Sequence, residues 1–177
     1  MNASRTVAAR ALALVLFTVG VAAPAAGAEA PVAIAIHAGA GTILRADLSA
    51  GPITARDVFT VLPFGNELDI VEMDGRMLRR VIERRVAGRS SGIHTSGARI
   101  VIDPTRPDYD RVVAFEIGGE PWDPDRIYKV IVTSFLMEGN SGLDFLTTIP
   151  ADRIELTQIT TAEAFEAYIK KHTPLRP

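Results

Sequence analysis

The tightest constraint on this chain is the stretch Val61-Leu62-Pro63-Phe64-Gly65-Asn66-Glu67-Leu68-Asp69-Ile70-Val71-Glu72-Met73. Proline lacks the N–H that a helix interior needs, and it pushes the residue before it out of the helical region. A helix arriving at Leu62 therefore has to stop. Glu67 to Met73 then alternates loosely in polarity and reads as a half-exposed strand. Helix end, tight turn and strand start are compressed into a few residues, and Phe64 is held between a proline and a glycine. A second aromatic, Phe135, opens a similar strand-to-loop corner over residues 135–146, punctuated by Gly139 and Gly142.

A chain of 177 residues, 47% of them apolar, suffices for one domain with a buried core. It has no cysteine, which excludes disulfides and thiolate metal sites. The formal net charge is −2 and no basic-aromatic stripe occurs, so nucleic-acid binding finds no support. Residues 1–28 read as a signal peptide: Arg5 and Arg10 precede the apolar run 11–23, and Ala26-Gly27-Ala28 fits a cleavage site. The apolar run is short for a membrane span, so no stable span is expected. The folded domain is expected over residues 31–172.

Val32 to Ile36 reads as a buried strand running into a glycine-rich loop that reaches Arg45. Thr54 is a good N-cap for a short helix carrying Val58, Val61 and Leu62. Asp74 caps a stronger helix in which Met77, Leu78, Val81, Ile82 and Val86 share one face. Arg76, Arg79, Arg80, Arg84 and Arg85 lie opposite, as a solvated face or an anion site, with Glu83 as local partner. Residues 98–102, 111–117 and 127–133 read as strands, with Gly118-Gly119 at an expected hairpin turn. Trp122 is expected to pack against the sheet. Thr160 and Glu163 form a capping-box pattern for a last helix presenting Phe165, Tyr168 and Ile169 to the core. Short mixed strands with two good helices predict a single α+β domain with a mixed β-sheet flanked by helices.

Catalytic signatures are sparse. His37, His94 and His172 are far apart, with no acid at metal-ligand spacing. His94 and Ser96 would share a strand face, but a nucleophilic triad also needs an orienting acid. Phe64 and Phe135 are either core residues or two walls on which a flat ring stacks. Arg45 is either a surface ion-pair partner or a fork for phosphate or carboxylate.

Residues 45–54 (RADLSAGPIT) and 57–66 (DVFTVLPFGN), with Thr95-Ser96-Gly97, Asp103-Pro104-Thr105-Arg106-Pro107 and Phe135-Leu136, resemble the C-terminal domain of the secreted 5′-nucleotidase/UDP-sugar hydrolase family. The resemblance covers residues 31–172. It implies substrate recognition, with Phe64 and Phe135 sandwiching a base, Gly65 and Asn66 beside it, and Arg45 on phosphate. It also implies that the metals and catalytic dyad belong to an N-terminal metallophosphatase domain, so no cofactor is expected on this chain. The family's Gly-Gly-Asp-Gly is here Gly139-Asn140-Ser141-Gly142. The sugar-gripping aspartate is thus replaced by Ser141, with Asp144 three residues on. The family's glycine-loop asparagine falls at Ala40, or at His37 if the loop carries an insertion, and His94 stands for its glutamine.

The resulting expectation is an exported, periplasmic or secreted domain that binds a nucleotide or related small molecule and works with a separate metallophosphatase chain. The alternatives are one half of a split or truncated 5′-nucleotidase, or a non-catalytic interaction domain with a degenerate slot.

Overall fold

The first buried run forms β1 (Ile34–Ala38), whose Ile34, Ala35 and Ile36 are fully buried. The structure is a computed structural model and describes residues 34–38, 46, 48, 51–88 and 92–173. The signal-peptide segment, the glycine-rich loop after β1 and Arg45 lie outside the described residues. Thr54 starts α1 (Ala55–Val61) through a full capping box. Its hydroxyl accepts from the Asp57 N–H, and the Asp57 carboxylate accepts from the Thr54 N–H at 2.7 Å. Val58 and Val61 are the buried side of this helix, and Leu62 closes it with an N–H donated to the Val58 carbonyl.

After the Pro63 corner comes β2 (Glu67–Asp74), then α2 (Gly75–Val86), capped by the Asp74 carboxylate at 2.7 Å from the Met77 N–H. β3 (Ile93–Ser96), β4 (Ala98–Ile102), β5 (Val112–Ile117) and the two-residue β6 (Glu120–Pro121) follow. β7 (Ile127–Thr133) leads directly into the one-turn α3 (Ser134–Met137). Three short 3₁₀ segments, β8 (Ile154–Thr160) and α4 (Thr161–His172) complete the domain. The Thr160–Glu163 capping box is formed, and Phe165 and Ile169 of α4 are buried.

The α+β expectation holds, but the strands divide into two sheets. The main sheet has order β3-β1-β7-β2-β8, and the smaller has order β4-β5-β6. The Gly118-Gly119 turn, with φ of 62° and 88°, folds β6 back onto β5 rather than joining β5 to β7. β7 instead pairs with β2 along its whole length, from Leu68↔Thr133 to Asp74↔Ile127. β2 is more buried than its loose alternation suggests, because β7 and β8 flank it on both sides. β8 was not legible as a strand. Its Glu155, Leu156, Gln158 and Ile159 are exposed on a sheet edge, so it lacks the apolar alternation that marks a half-buried strand.

The small sheet is bolted to α2. The buried Glu83 carboxylate accepts from the Arg111 N–H at 2.9 Å and the Val112 N–H at 3.0 Å. Trp122 stacks on Phe115 with ring centroids 6.1 Å apart, and its Nε1–H donates to the Gly75 carbonyl at 2.8 Å. Packing against the sheet is thus its structural role, as expected.

A candidate ligand site at one end of the main sheet

Strand direction brings the two sequence corners together. β7 runs antiparallel to β2, so the start of β2 and the end of β7 share one end of the sheet. β1 runs parallel to β7 in the register Ile34↔Val130, so the chain also leaves β1 at that end. The end of β1, the Pro63 corner and α3 therefore share one end of the sheet. Ser134 fastens two of them: its hydroxyl accepts from the Glu67 N–H at 3.1 Å. The Asn66 carbonyl is held by the Thr161 N–H at 2.9 Å, which ties the same corner to α4.

Phe64 is 38% exposed and Gly65 is exposed, so the apolar ring at the turn is not a core residue. The space where a Cβ of Gly65 would stand is open, so a ligand can approach this backbone closely. The Asn66 carboxamide makes no hydrogen bond among the described residues, which leaves its donors and acceptor for something else. Phe135 differs: it is half-buried and packs against the core.

The second corner is shaped by contacts that sequence reasoning missed. Asn140 Nδ2 donates to the Phe135 carbonyl at 2.9 Å and closes the loop on the base of α3. Gly139, Ser141 and Gly142 all have left-handed backbones, with φ of 86°, 61° and 75°. Holding Ser141 there costs about 1 kcal/mol or more. The loop is pinned from behind by α2. Arg84 Nε donates to the Gly142 carbonyl at 3.1 Å, and the buried Arg85 donates to the Ser141 carbonyl at 3.3 Å and the Gly92 carbonyl at 3.0 Å. Arg85 is thus no part of a solvated face. Asp144 is exposed and turns toward the α2 arginines, lining a groove with them.

A buried carboxyl and a half-buried imidazole flank the site. Asp69, two residues into β2, is 4% exposed and its Oδ1 has no hydrogen-bond partner. Burial, then the neighbouring Glu67, raises its carboxyl above the usual value of 3.8. The native state consequently holds this proton more tightly than the unfolded chain. The contribution to stability is present at low pH and is lost as pH rises through the raised native value. Asp69→Asn is expected to be more stable than the native chain at about pH 7, with the gain shrinking toward about pH 4. Urea unfolding at the two pH values checks this, and a gain that grows on acidification would contradict it. His94 stands opposite His37 in the β1–β3 register, and burial lowers its pKa.

Among the described residues no three His, Asp or Glu side chains converge closely enough to hold an ion. No helix among them is long and apolar enough to cross a membrane.

Comparison with known proteins agrees with this architecture. The family model described as "5'-nucleotidase, C-terminal domain" matches residues 7–148. Protein UshA of Yersinia enterocolitica is 32% identical over 145 residues, 80% of this chain and 24% of that protein. Rat 5'-nucleotidase is 32% identical over 108 residues, 54% of this chain and 19% of that protein. The chain thus spans about a quarter or less of these relatives. The crystal structure of a 5'-nucleotidase precursor from Thermus thermophilus superposes with a TM-score of 0.78 at 28% identity, covering 92% of this chain and 32% of the other. The Haemophilus influenzae NAD nucleotidase shares the fold, with a TM-score of 0.74 at 24% identity over 94% of this chain and 30% of its own. A family match over well more than half of the chain, on a fold that superposes on a 5'-nucleotidase, places this protein in the 5'-nucleotidase C-terminal domain family.

Proposed function

We propose that the sheet-end corner binds a nucleotide-like ligand, with the aromatic base between Phe64 and Phe135 and its edge at Asn66. In this reading Gly65 lets the ligand approach the backbone, Ser141 and Asp144 serve the sugar, and Arg45 receives the phosphate. Hydrolysis is assigned to a separate metallophosphatase chain or domain that supplies the metals, and no catalytic step to the residues of this chain. The leader over residues 1–28 would direct the protein to the periplasm or outside the cell.

The observation that carries the proposal is an exposed Phe64 beside an uncommitted Asn66 carboxamide, at the sheet end where the chain leaves β1 and β7 and enters β2. Relatives named 5'-nucleotidase, UshA and apyrase support a nucleotide as the ligand class. Stacking on one aromatic wall contributes about 1–3 kcal/mol per base. Phe64→Ala is therefore expected to weaken AMP or adenosine binding by about 5- to 150-fold in isothermal titration. Absence of binding by the native chain to AMP, adenosine and UDP-glucose at about millimolar concentration would overturn the site. Metal-dependent AMP hydrolysis by the chain alone would overturn the need for a partner.

A further inference from the structure

A groove of about 600 Å³ runs along α2; it borders the sheet-end corner at Gly142 and Asp144 but does not include Phe64, Asn66 or Phe135. Arg76, Arg79, Arg80 and Arg84 line it, together with Trp122, Tyr109 and Phe145. Its two carboxylates do not balance the four guanidiniums. Glu83 is buried and already accepts from two backbone N–H groups and Arg79, which leaves the exposed Asp144. Arg76 pairs with Asp125 at one end. Arg84 is spent on the Gly142 carbonyl and the Tyr109 hydroxyl, neither of them an anion. Arg80 has no hydrogen-bond or ion-pair partner among the described residues, and its guanidinium rests on the Phe145 ring at 3.9 Å.

Arg76, Arg80 and Arg84 stand one helical turn apart, an arrangement of like charges that destabilises a helix unless something relieves it. The three positions span about 12 Å of helix axis. The guanidiniums lie over the aromatic rings: Arg79 over Trp122 at 5.2 Å, Arg80 over Phe145, and Arg84 over Tyr109 at 5.9 Å. Tyr109 itself is held at φ 68°, a strained backbone for an aromatic residue, in the loop that brings its hydroxyl to Arg84.

We propose that this groove is a second binding site, for a linear polyphosphate group. Guanidinium forks match phosphate oxygens bidentately, and a row of them suits charge distributed along a chain better than a single carboxylate. The phosphate chain can belong to inorganic polyphosphate or to a nucleoside triphosphate, with the same contacts in either case.

Trp122 is the only tryptophan in the chain and lines the groove, so its fluorescence reports occupancy. Titrating the full chain with tripolyphosphate is expected to give a saturable change with a dissociation constant below about 1 mM. Arg80→Gln should weaken it at least about tenfold while the chain still unfolds in one cooperative step, since the substitution breaks no ion pair and the lost contact with Phe145 is opposed by relief of the repulsion from Arg76 and Arg84. Arg76→Gln provides an independent second variant. Phe64→Ala should leave tripolyphosphate affinity unchanged, which separates failure here from failure at the sheet end. ATP binding as tightly as tripolyphosphate, with adenosine silent in Trp122 fluorescence, supports the assignment. No saturable change beyond that of sodium chloride at matched ionic strength, equal affinity for citrate, or full affinity in both arginine variants would overturn it.

Discussion

Replacing Gly75 with alanine is expected to lower the unfolding free energy by about 3 kcal/mol or more, among the largest losses available to a single methyl group. Gly75 is not needed for a left-handed backbone, because it begins a regular helix. It is needed for space. A Cβ there would stand 2.0 Å from the Asp123 carbonyl oxygen and 2.8 Å from Trp122 Nε1. The first is backbone and cannot swing away. The same residue accepts from Trp122 Nε1 and donates its N–H to the Arg126 carbonyl at 3.0 Å, so any retreat breaks both bonds. The loss is read from the shift of the urea midpoint at constant slope. Gly65→Ala is the matched control. The space beside it is open and its φ is unremarkable, so its stability should change by no more than about 0.5 kcal/mol. Equal effects at the two glycines would refute the close-approach account.

Glu83→Ala is the second large effect, a loss of about 2–4 kcal/mol. Truncation leaves the Val112 N–H, buried, and the Arg111 N–H, partly buried, without their acceptor. Each orphaned buried donor costs about 1–3 kcal/mol. Arg79 also loses the Glu83 carboxylate, 3.5 Å away, and keeps the Val112 carbonyl at 2.9 Å. Since this carboxylate joins α2 to the small sheet, hydrogen exchange should rise first at the start of β5 and leave β2 and β7 protected. Glu83→Gln retains one acceptor oxygen but sets its NH2 donor against the other backbone N–H, so it should recover only part of the loss. A Glu83→Ala variant as stable as the native chain would show that water satisfies these donors.

The local elements were legible because their signals are local. Thr54, Asp74 and Thr160 cap helices through atoms within three residues, so type and spacing suffice. The apolar stripe of α2 follows from helical period alone. The two-sheet division was not legible. It depends on whether β7 pairs with its sequence neighbour β5 or with the distant β2, and both choices satisfy the same apolar pattern. β8 escaped detection because an exposed edge strand needs no apolar face.

For the candidate site the boundary falls in the same place. Sequence alone determined that Phe64 sits on a forced turn, since Pro63 ends the helix whatever surrounds it. It also marked Gly139 and Gly142 as backbone punctuation, and it carried the family pattern in Pro63-Phe64-Gly65-Asn66. Only tertiary structure decided that Phe64 is exposed while Phe135 is half in the core, and that the ends of β1 and β7 and the start of β2 share one end of the sheet. It alone decided the fate of the arginines as well. Arg84 and Arg85 pin the glycine loop, while Arg80 keeps its donors uncommitted over Phe145. The physical reason is range. Caps, turns and periodicity act within one helical turn, whereas which side of a charged helix is covered depends on a loop more than 50 residues away.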